Sequence, residues 1–378
     1  MILFNIKKSM PVALLALLAF FPLSLGAQQP SDSLLRREAA RMLLVGFKGE
    51  RINDNSDAAR YVRDLHVGGV ILFDVDLTGS AKIGSRNITS KQQLAKLTSD
   101  LQGYADEPLI IAADQEGGLV CRLKKQYGFS PTVNAFHLGT IDNRDTTMHY
   151  ARKIAQEVAQ SGVNLNLAPV LDVHLETNPH VGHFKRSFSP DVDVITRNAG
   201  WVIDAHHEQG VLTAVKHFPG QGNATGDSHY ELVDVTGNWK PQELEPYRRL
   251  IEQGKLDVVM TAHIYNRQLD PNYPATLSHR IITDLLRNEL GFDGVVVTDD
   301  MYMDGILSQY SVKDAIALAI NAGADLLLVG NNINTGFEAD RPFHLVDMIV
   351  DLVKTGKVPY ERVHESSERI LKLKSRIK

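Results

Sequence analysis

The 378-residue chain contains one cysteine, Cys121, so an internal disulfide is excluded even in an oxidising compartment. No activating base stands beside it in sequence, and Cys121 reads as a small packed residue rather than a nucleophile. Clustered positive charge is also missing. Lys and Arg total 40 against 45 acidic residues, and no basic stripe is available for phosphates, which argues against a nucleic-acid partner. Long apolar runs are absent beyond the first. That run, residues 12–25, would span about 21 Å as a helix, short of a bilayer core of about 30 Å. Lys7 and Lys8 precede it and Gly26-Ala27 follow it, the pattern of a secretory signal peptide over 1–27. No cysteine follows the cleavage region, which argues against a lipoprotein anchor. The mature chain, 28–378, is therefore expected to be exported, periplasmic or secreted from a bacterial cell, without stable membrane insertion. Removing Lys7 and Lys8 leaves 38 basic and 45 acidic residues, a net −7. Low-complexity tracts and repeats longer than one βα unit are absent.

What is present, past residue 35, is one recurring pattern: a short β-branched run, a polar loop and a helical stretch. Candidate strands are 43–47, 69–73, 109–113, 163–168, 212–217, 258–262, 294–298 and 326–329. Amphipathic stretches such as 146–161 and 194–209 lie between them. Eight buried runs separated by helices predict parallel strands closed into a single-domain α/β fold, the (β/α)8 TIM barrel. An open doubly wound sheet is the alternative. A dinucleotide fold, however, needs its Gly-rich turn after the first strand. The nearest candidate, Gly220-Gln221-Gly222 with Gly226, lies mid-chain and leads into Asp-Ser-His.

Active sites of such barrels lie at the C-terminal ends of the strands, and polar residues collect there. Asp114 follows the third run, Asp172 lies beyond the fourth, and Lys216 and His217 end the fifth. His263 follows the sixth, Asp299 ends the seventh, and Asn331 and Asn332 follow the eighth. Any one of these could be a satisfied ion pair capping the barrel, and His263 fits a packed core histidine as well as a site floor. The whole set on one rim points to a site. His174, His180 and His183, with Asp172 and Glu176 nearby, raise the question of a metal. Neither His-x-His nor His-Glu-x-x-His occurs, and no metal or other cofactor is expected. His206-His207, followed by Glu208, reads as solvated helix surface.

The most informative stretch begins at Lys216-His217-Phe218-Pro219-Gly220-Gln221-Gly222 and continues to Asp227-Ser228-His229. A strand end can fix a cation and an imidazole, and the loop beyond can bring a carboxylate-supported histidine over them. The segment resembles the signature of glycoside hydrolase family 3, in its single-domain β-N-acetylglucosaminidase branch. That signature reads K-H-F-P-G-H-G, four residues, then D-S-H; Gln221 replaces the second histidine. Two further patches fit in order and spacing: Asp114-Gln115-Glu116-Gly117-Gly118-Leu119-Val120-Cys121-Arg122 and Gly294-Val295-Val296-Val297-Thr298-Asp299-Asp300-Met301.

The resemblance implies a retaining glycosidase acting on a carbohydrate, with Asp299 as nucleophile. A carboxylate at a strand end is held rigidly, and cations such as Lys216 would keep it ionised. Asp300 is the rival, but adjacent strand residues point to opposite faces. The proton donor is assigned to His229, because imidazole titrates near neutral pH. Asp227, two residues earlier, would fix its tautomer. Asp114, Arg122, Arg186, Lys216 and His217 are implied as partners of sugar hydroxyls. Arg186 lies in Lys185-Arg186-Ser187-Phe188, like the family's R-S-F element, although Val181-Gly182-His183-Phe184 departs from the usual short loop. The larger branch of the family carries a second domain that supplies the acid. Residues 340–378 read here as terminal barrel helices, so the acid is expected from the barrel itself. Terminal N-acetylglucosamine on peptidoglycan fragments or chitin oligosaccharides is the expected substrate. A phosphorylase on the same scaffold, a β-glucosidase or β-xylosidase, and a non-catalytic sugar-binding barrel are the alternatives.

Overall fold

The computed structural model describes residues 30–79, 81–226, 232–333 and 336–377. The expected signal peptide and Asp227, Ser228 and His229 lie outside these residues. Eight strands form one parallel sheet: β1 (Leu43–Gly46), β2 (Gly69–Ile71), β3 (Ile110–Ala113), β4 (Leu165–Asn166), β5 (Leu212–Phe218), β6 (Val258–Thr261), β7 (Val295–Val297) and β8 (Leu327–Val329). Neighbours pair in chain order from β1 to β7, and β8 pairs with β1 at Leu43↔Leu327. The remaining seam, between β7 and β8, is joined by the parallel bridge Val297↔Leu326 and by the Thr298 N–H donating to the Leu326 carbonyl at 3.0 Å. The result is the expected (β/α)8 barrel. Every strand residue is buried, because helices cover the outer face and side chains fill the inner one. The wall is tight where β1 meets the loop after β8: a Cβ on Gly46 would come within 1.9 Å of the Gly330 carbonyl oxygen.

Strand ends are trimmed where the backbone cannot pair. The fourth run was expected over 163–168 but pairs regularly only at Leu165–Asn166. Pro169 has no N–H to donate, and pairing resumes as the single bridge Val170↔Lys216. The two amphipathic stretches form helices Arg144–Gln160 and Val192–His207. Asn143 caps the first by accepting from the Thr146 N–H, and Asp191 caps the second by accepting from the Asp193 N–H. Residues 340–378 contribute helices Arg341–Lys354 and Tyr360–Lys374. Residues Asp32–Lys378 form one compact unit. Among the described residues no helix is long and apolar enough to cross a membrane.

The expectation that His206 is solvated is overturned: it is 1% exposed. It falls on the inner stripe of its helix with Ile195, Ala199 and Ile203. One ring nitrogen lies 2.9 Å from the Asn166 side-chain amide in β4, the other 2.8 Å from the Val202 carbonyl. Burial pushes its pKa down to about 4. His207 is partly exposed and reaches the Asp257 carboxylate at 2.7 Å.

Candidate active site

A cavity of about 540 Å³ opens at the C-terminal ends of the strands, and Asp114, Arg122, Arg186, Lys216, His217 and Asp299 all line it. Asp227 and His229 follow β5 in the sequence and lie outside the described residues. The loop's described near end is Pro219–Gly226. Its far end is fixed where Val233–Asp234 pairs with Ile264–Tyr265.

Lys216, near the end of β5, sets the centre. Its Nζ lies 2.8 Å from Asp114 Oδ1 and 2.7 Å from Glu116 Oε1. The other Asp114 oxygen accepts from Arg122 Nη2 at 3.1 Å. Arg186 forks onto Glu116, with Nε donating to Oε2 at 2.9 Å and Nη2 to Oε1 at 2.7 Å. Three cations thus share two carboxylates, and the side chains of Glu116, Lys216 and Arg186 are 5% exposed or less. Burial alone would push both carboxyls up. For Asp114, the charges of Lys216 and Arg122 outweigh it and hold the group well below the usual range. For Glu116, Arg186 and Lys216 do the same and hold it at about 2. Burial likewise opposes the charge on Lys216, but the two carboxylates outweigh it and raise its pKa. Asp114, Glu116 and Lys216 thus favour their charged forms despite burial. Arg186 Nη1 and Arg122 Nε are buried without a hydrogen-bond partner among the described residues.

Glu116 was not singled out among the expected site residues. It lies in the motif that supplies Asp114 and Arg122, but spacing gives no reason for its side chain to fold back. The reason is local. Gln115–Gly117 and Val120–Cys121 form a hairpin, turned by Gly117 and Gly118 at φ +96° and +65°, which only glycine adopts cheaply. Gln115 holds it shut, its Oε1 accepting from the N–H of Arg122 and of Leu123, both at 2.9 Å. Cys121 is packed beneath, 3.2 Å from Gln115 Nε2, and burial pushes its thiol pKa up.

His217 is held by Asp172, whose Oδ2 lies 2.6 Å from Nδ1. That contact orients Nε2 to within 3.5 Å of Arg186 Nη2. Asp172 was expected only as a rim residue; it is a buried brace, since its Oδ1 also accepts from the Gln221 N–H at 2.8 Å. The Asn178 amide completes the brace, donating to the carbonyls of Gln221 and Gly222 at 2.9 and 3.0 Å. Gln221 thus holds the loop through its main chain. The Lys216–His217 and Phe218–Pro219 peptide bonds are cis.

Asp299 and Asp300 both border the cavity but differ in burial and partners. Asp299 is partly exposed on the cavity wall, and its Oδ1 accepts from the Asp300 N–H at 2.8 Å. Asp300 is 7% exposed, and its carboxyl accepts from the N–H groups of Tyr302 and Gly330, each at 3.0 Å. That ties the end of β7 to the end of β8. Burial pushes the Asp300 carboxyl up to about 6, aided by the charge of Asp299. His263 is fully buried between Thr276 Oγ1 and the Asp300 carbonyl, both at 2.9 Å, as a packed core histidine. Asn332 lines the cavity and binds Arg86 at 2.8 Å, while Asn331 accepts from Arg341 at 2.7 Å. Asp74, also on the wall, is paired with Lys124 at 2.5 Å. His174 pairs with Glu176 at 3.0 Å and packs against the Phe136 ring at a tilt of 32°, whereas His180 and Phe184 reach the cavity. Among the described residues no three His, Cys, Asp or Glu side chains are grouped as a metal ion requires.

The structure is a parallel (β/α)8 barrel whose rim gathers three cations, two carboxylates and a braced histidine around an open cavity. Residues 34–373 match the family described as Glycosyl hydrolase family 3 N terminal domain, and the chain belongs to that family. It is 34% identical over 334 residues to Beta-hexosaminidase A of Pseudoalteromonas piscicida, a match covering 82% of this chain and 54% of the relative. It is also 34% identical over 281 residues to a Beta-hexosaminidase of Tolumonas auensis, covering 74% and 80%. Among solved structures, a glycoside hydrolase family 3 beta-N-acetylglucosaminidase from Paenibacillus sp. strain FPU-7 superposes with a TM-score of 0.81 at 35% identity. That match covers 90% of this chain and 62% of the other. The chain thus spans about half of the Pseudoalteromonas relative and under two thirds of the Paenibacillus one.

Proposed function

We propose that this chain is an exo-acting, retaining β-N-acetylglucosaminidase. The observation that carries the reading is the gathering of Asp114, Arg122, Arg186, Lys216, His217 and Asp299 on one cavity wall. Ionised Asp114 accepts hydrogen bonds from adjacent hydroxyls of the terminal sugar, while Lys216, Arg122 and Arg186, which line the cavity, supply bonds to its oxygens. With the ring so held, Asp299 attacks the anomeric carbon and forms a glycosyl-aspartate. His229, supported by Asp227, gives its proton to the leaving oxygen and then takes one from the incoming water. Asp300 also borders the cavity, but its burial and its two main-chain bonds favour Asp299 over it as nucleophile. The likeness to beta-hexosaminidases and to the Paenibacillus beta-N-acetylglucosaminidase supports N-acetylglucosamine as the sugar. Peptidoglycan fragments or chitin oligosaccharides are the natural substrates of this reading, and the leader-like run at residues 12–25 supports export of the enzyme.

A panel of 4-nitrophenyl β-glycosides differing only at the 2-position, with and without inorganic phosphate, tests the proposal. Free N-acetylglucosamine released at a rate indifferent to phosphate is expected. A sugar phosphate as product, or preference for the glucoside or xyloside, would overturn it.

A further inference from the structure

Beneath the loop after β5 lies a carboxyl that the reaction above does not use. Glu243 sits in the short turn Pro241–Leu244 and is 1% exposed. Its Oε1 accepts from the Asn223 side-chain amide at 2.7 Å and from the Lys240 N–H at 3.2 Å. Its Oε2 is buried without a hydrogen-bond partner among the described residues. The loop lies directly on it: Gly220 has φ +112°, and a Cβ there would come within 2.8 Å of Oε2. One residue before that glycine, the Pro219 carbonyl accepts from Trp239 Nε1 at 3.0 Å. The segment Pro219–Asn223 is thus gripped from one side by Trp239 and Glu243. From the other side, Asp172 takes the Gln221 N–H and holds the His217 ring. Asp227 follows four residues after Asn223.

We propose that Glu243 is a positioning residue: its carboxyl clamps the root of the loop that carries Asp227 and His229 and ties that root to the Asp172–His217 pair. The inference rests on the reading that this loop supplies the proton donor. The groups facing Glu243 are Asp172, from the segment after β4, and the Tyr247 phenol in helix Glu245–Glu252. It accepts from an uncharged amide and a main-chain N–H, those of Asn223 and Lys240. Burial pushes its carboxyl up to about 7, against the pull of Asn223 and with the push of Asp172. Its neutral form is the one that fits. Ionisation sets a buried negative charge near that of Asp172, and the clamp loosens as pH rises through that value.

Glu243→Gln keeps the acceptor for Asn223 and cannot ionise, whereas Glu243→Ala removes the clamp. Both are compared with wild type on an N-acetylglucosaminide, with melting curves at each pH. At about pH 6, Glu243→Ala is expected to lose about tenfold or more in kcat with KM within about threefold, and Glu243→Gln to restore kcat within about twofold. At about pH 8.5, Glu243→Gln should exceed wild type by about threefold or more. Variants whose kcat tracks only their melting temperature, or a Gln-to-wild-type ratio unchanged between the two pH values, overturn the proposal. A wild-type protein inactive on every glycoside of the panel overturns the functional reading itself, and the positioning role falls with it. Should the alanine variant fail to fold, Asn223→Ala removes the other half of the clamp and must show the same kcat loss.

Discussion

Replacing Lys216 with methionine removes the central charge of the cage while nearly conserving its volume. Two contacts are lost, 2.8 Å to Asp114 and 2.7 Å to Glu116. Each is worth about 6 kcal/mol of gross attraction at an effective dielectric of about 20. Much of this is offset because methionine need not be stripped of water as lysine is, so the net loss is about 3–5 kcal/mol, the usual result of breaking a buried pair. Glu116 gives an independent scale. A carboxyl held at about 2 instead of its ordinary 4.5 contributes about 3 kcal/mol of stability. Its folded pKa is depressed, so that contribution is present above pH 4.5 and is lost as pH falls through about 2. With Lys216 gone, its loss begins at higher pH. For a unit of this size the unfolding entropy is about 0.7 kcal/mol per kelvin, so Tm near pH 7 should fall by about 4–7 °C. Loss of a charged hydrogen bond to the sugar should also lower kcat/KM by about 10- to 150-fold. Differential scanning calorimetry at two pH values and steady-state kinetics read both effects. A variant melting within about 1 °C of wild type with kcat/KM within about threefold would show that the cage is not held as described.

Asp299→Ala should lower kcat by about 1000-fold or more with little change in Tm, whereas Asp300→Asn should chiefly lower Tm, by about 2–4 °C, because it disturbs the β7–β8 tie; the reverse pattern would exchange their roles. Gln221→Ala should keep kcat within about threefold, since the main chain of Gln221 makes the contacts to Asp172 and Asn178. Asp172→Asn should lower kcat/KM by about 10- to 100-fold, as His217 loses its orienting carboxylate, and an unchanged value would remove that pair from the site.

Much of the barrel could be read from sequence because each strand is a buried β-branched or leucine-rich run, as in Val295–Val297 and Leu327–Val329. The residues at strand ends were legible too, since charge at the end of a buried run is unusual. His206 misled because its neighbours His207 and Glu208 are polar, while its own position follows the helical stripe of Ile195, Ala199 and Ile203. Glu116 and Glu243 stayed hidden for another reason. Their roles depend on where a hairpin and a loop fold back, which no local periodicity encodes. The glycines Gly117, Gly118 and Gly220, all at positive φ, were the available signal. Asp172 was visible as a polar residue past a strand, but its pairing with His217 spans 45 positions in the chain.

The attacking group can be identified directly by incubating the protein with a slow-turnover fluorinated N-acetylglucosaminyl fluoride, quenching in acid and mapping the labelled peptide by mass spectrometry. A sugar adduct on the 294–301 peptide, localised to Asp299 by fragmentation and absent from Asp299→Ala, is the expected result. An adduct on Asp300 or on another strand end, or rapid turnover with inversion at the anomeric carbon and no adduct at all, would contradict the mechanism.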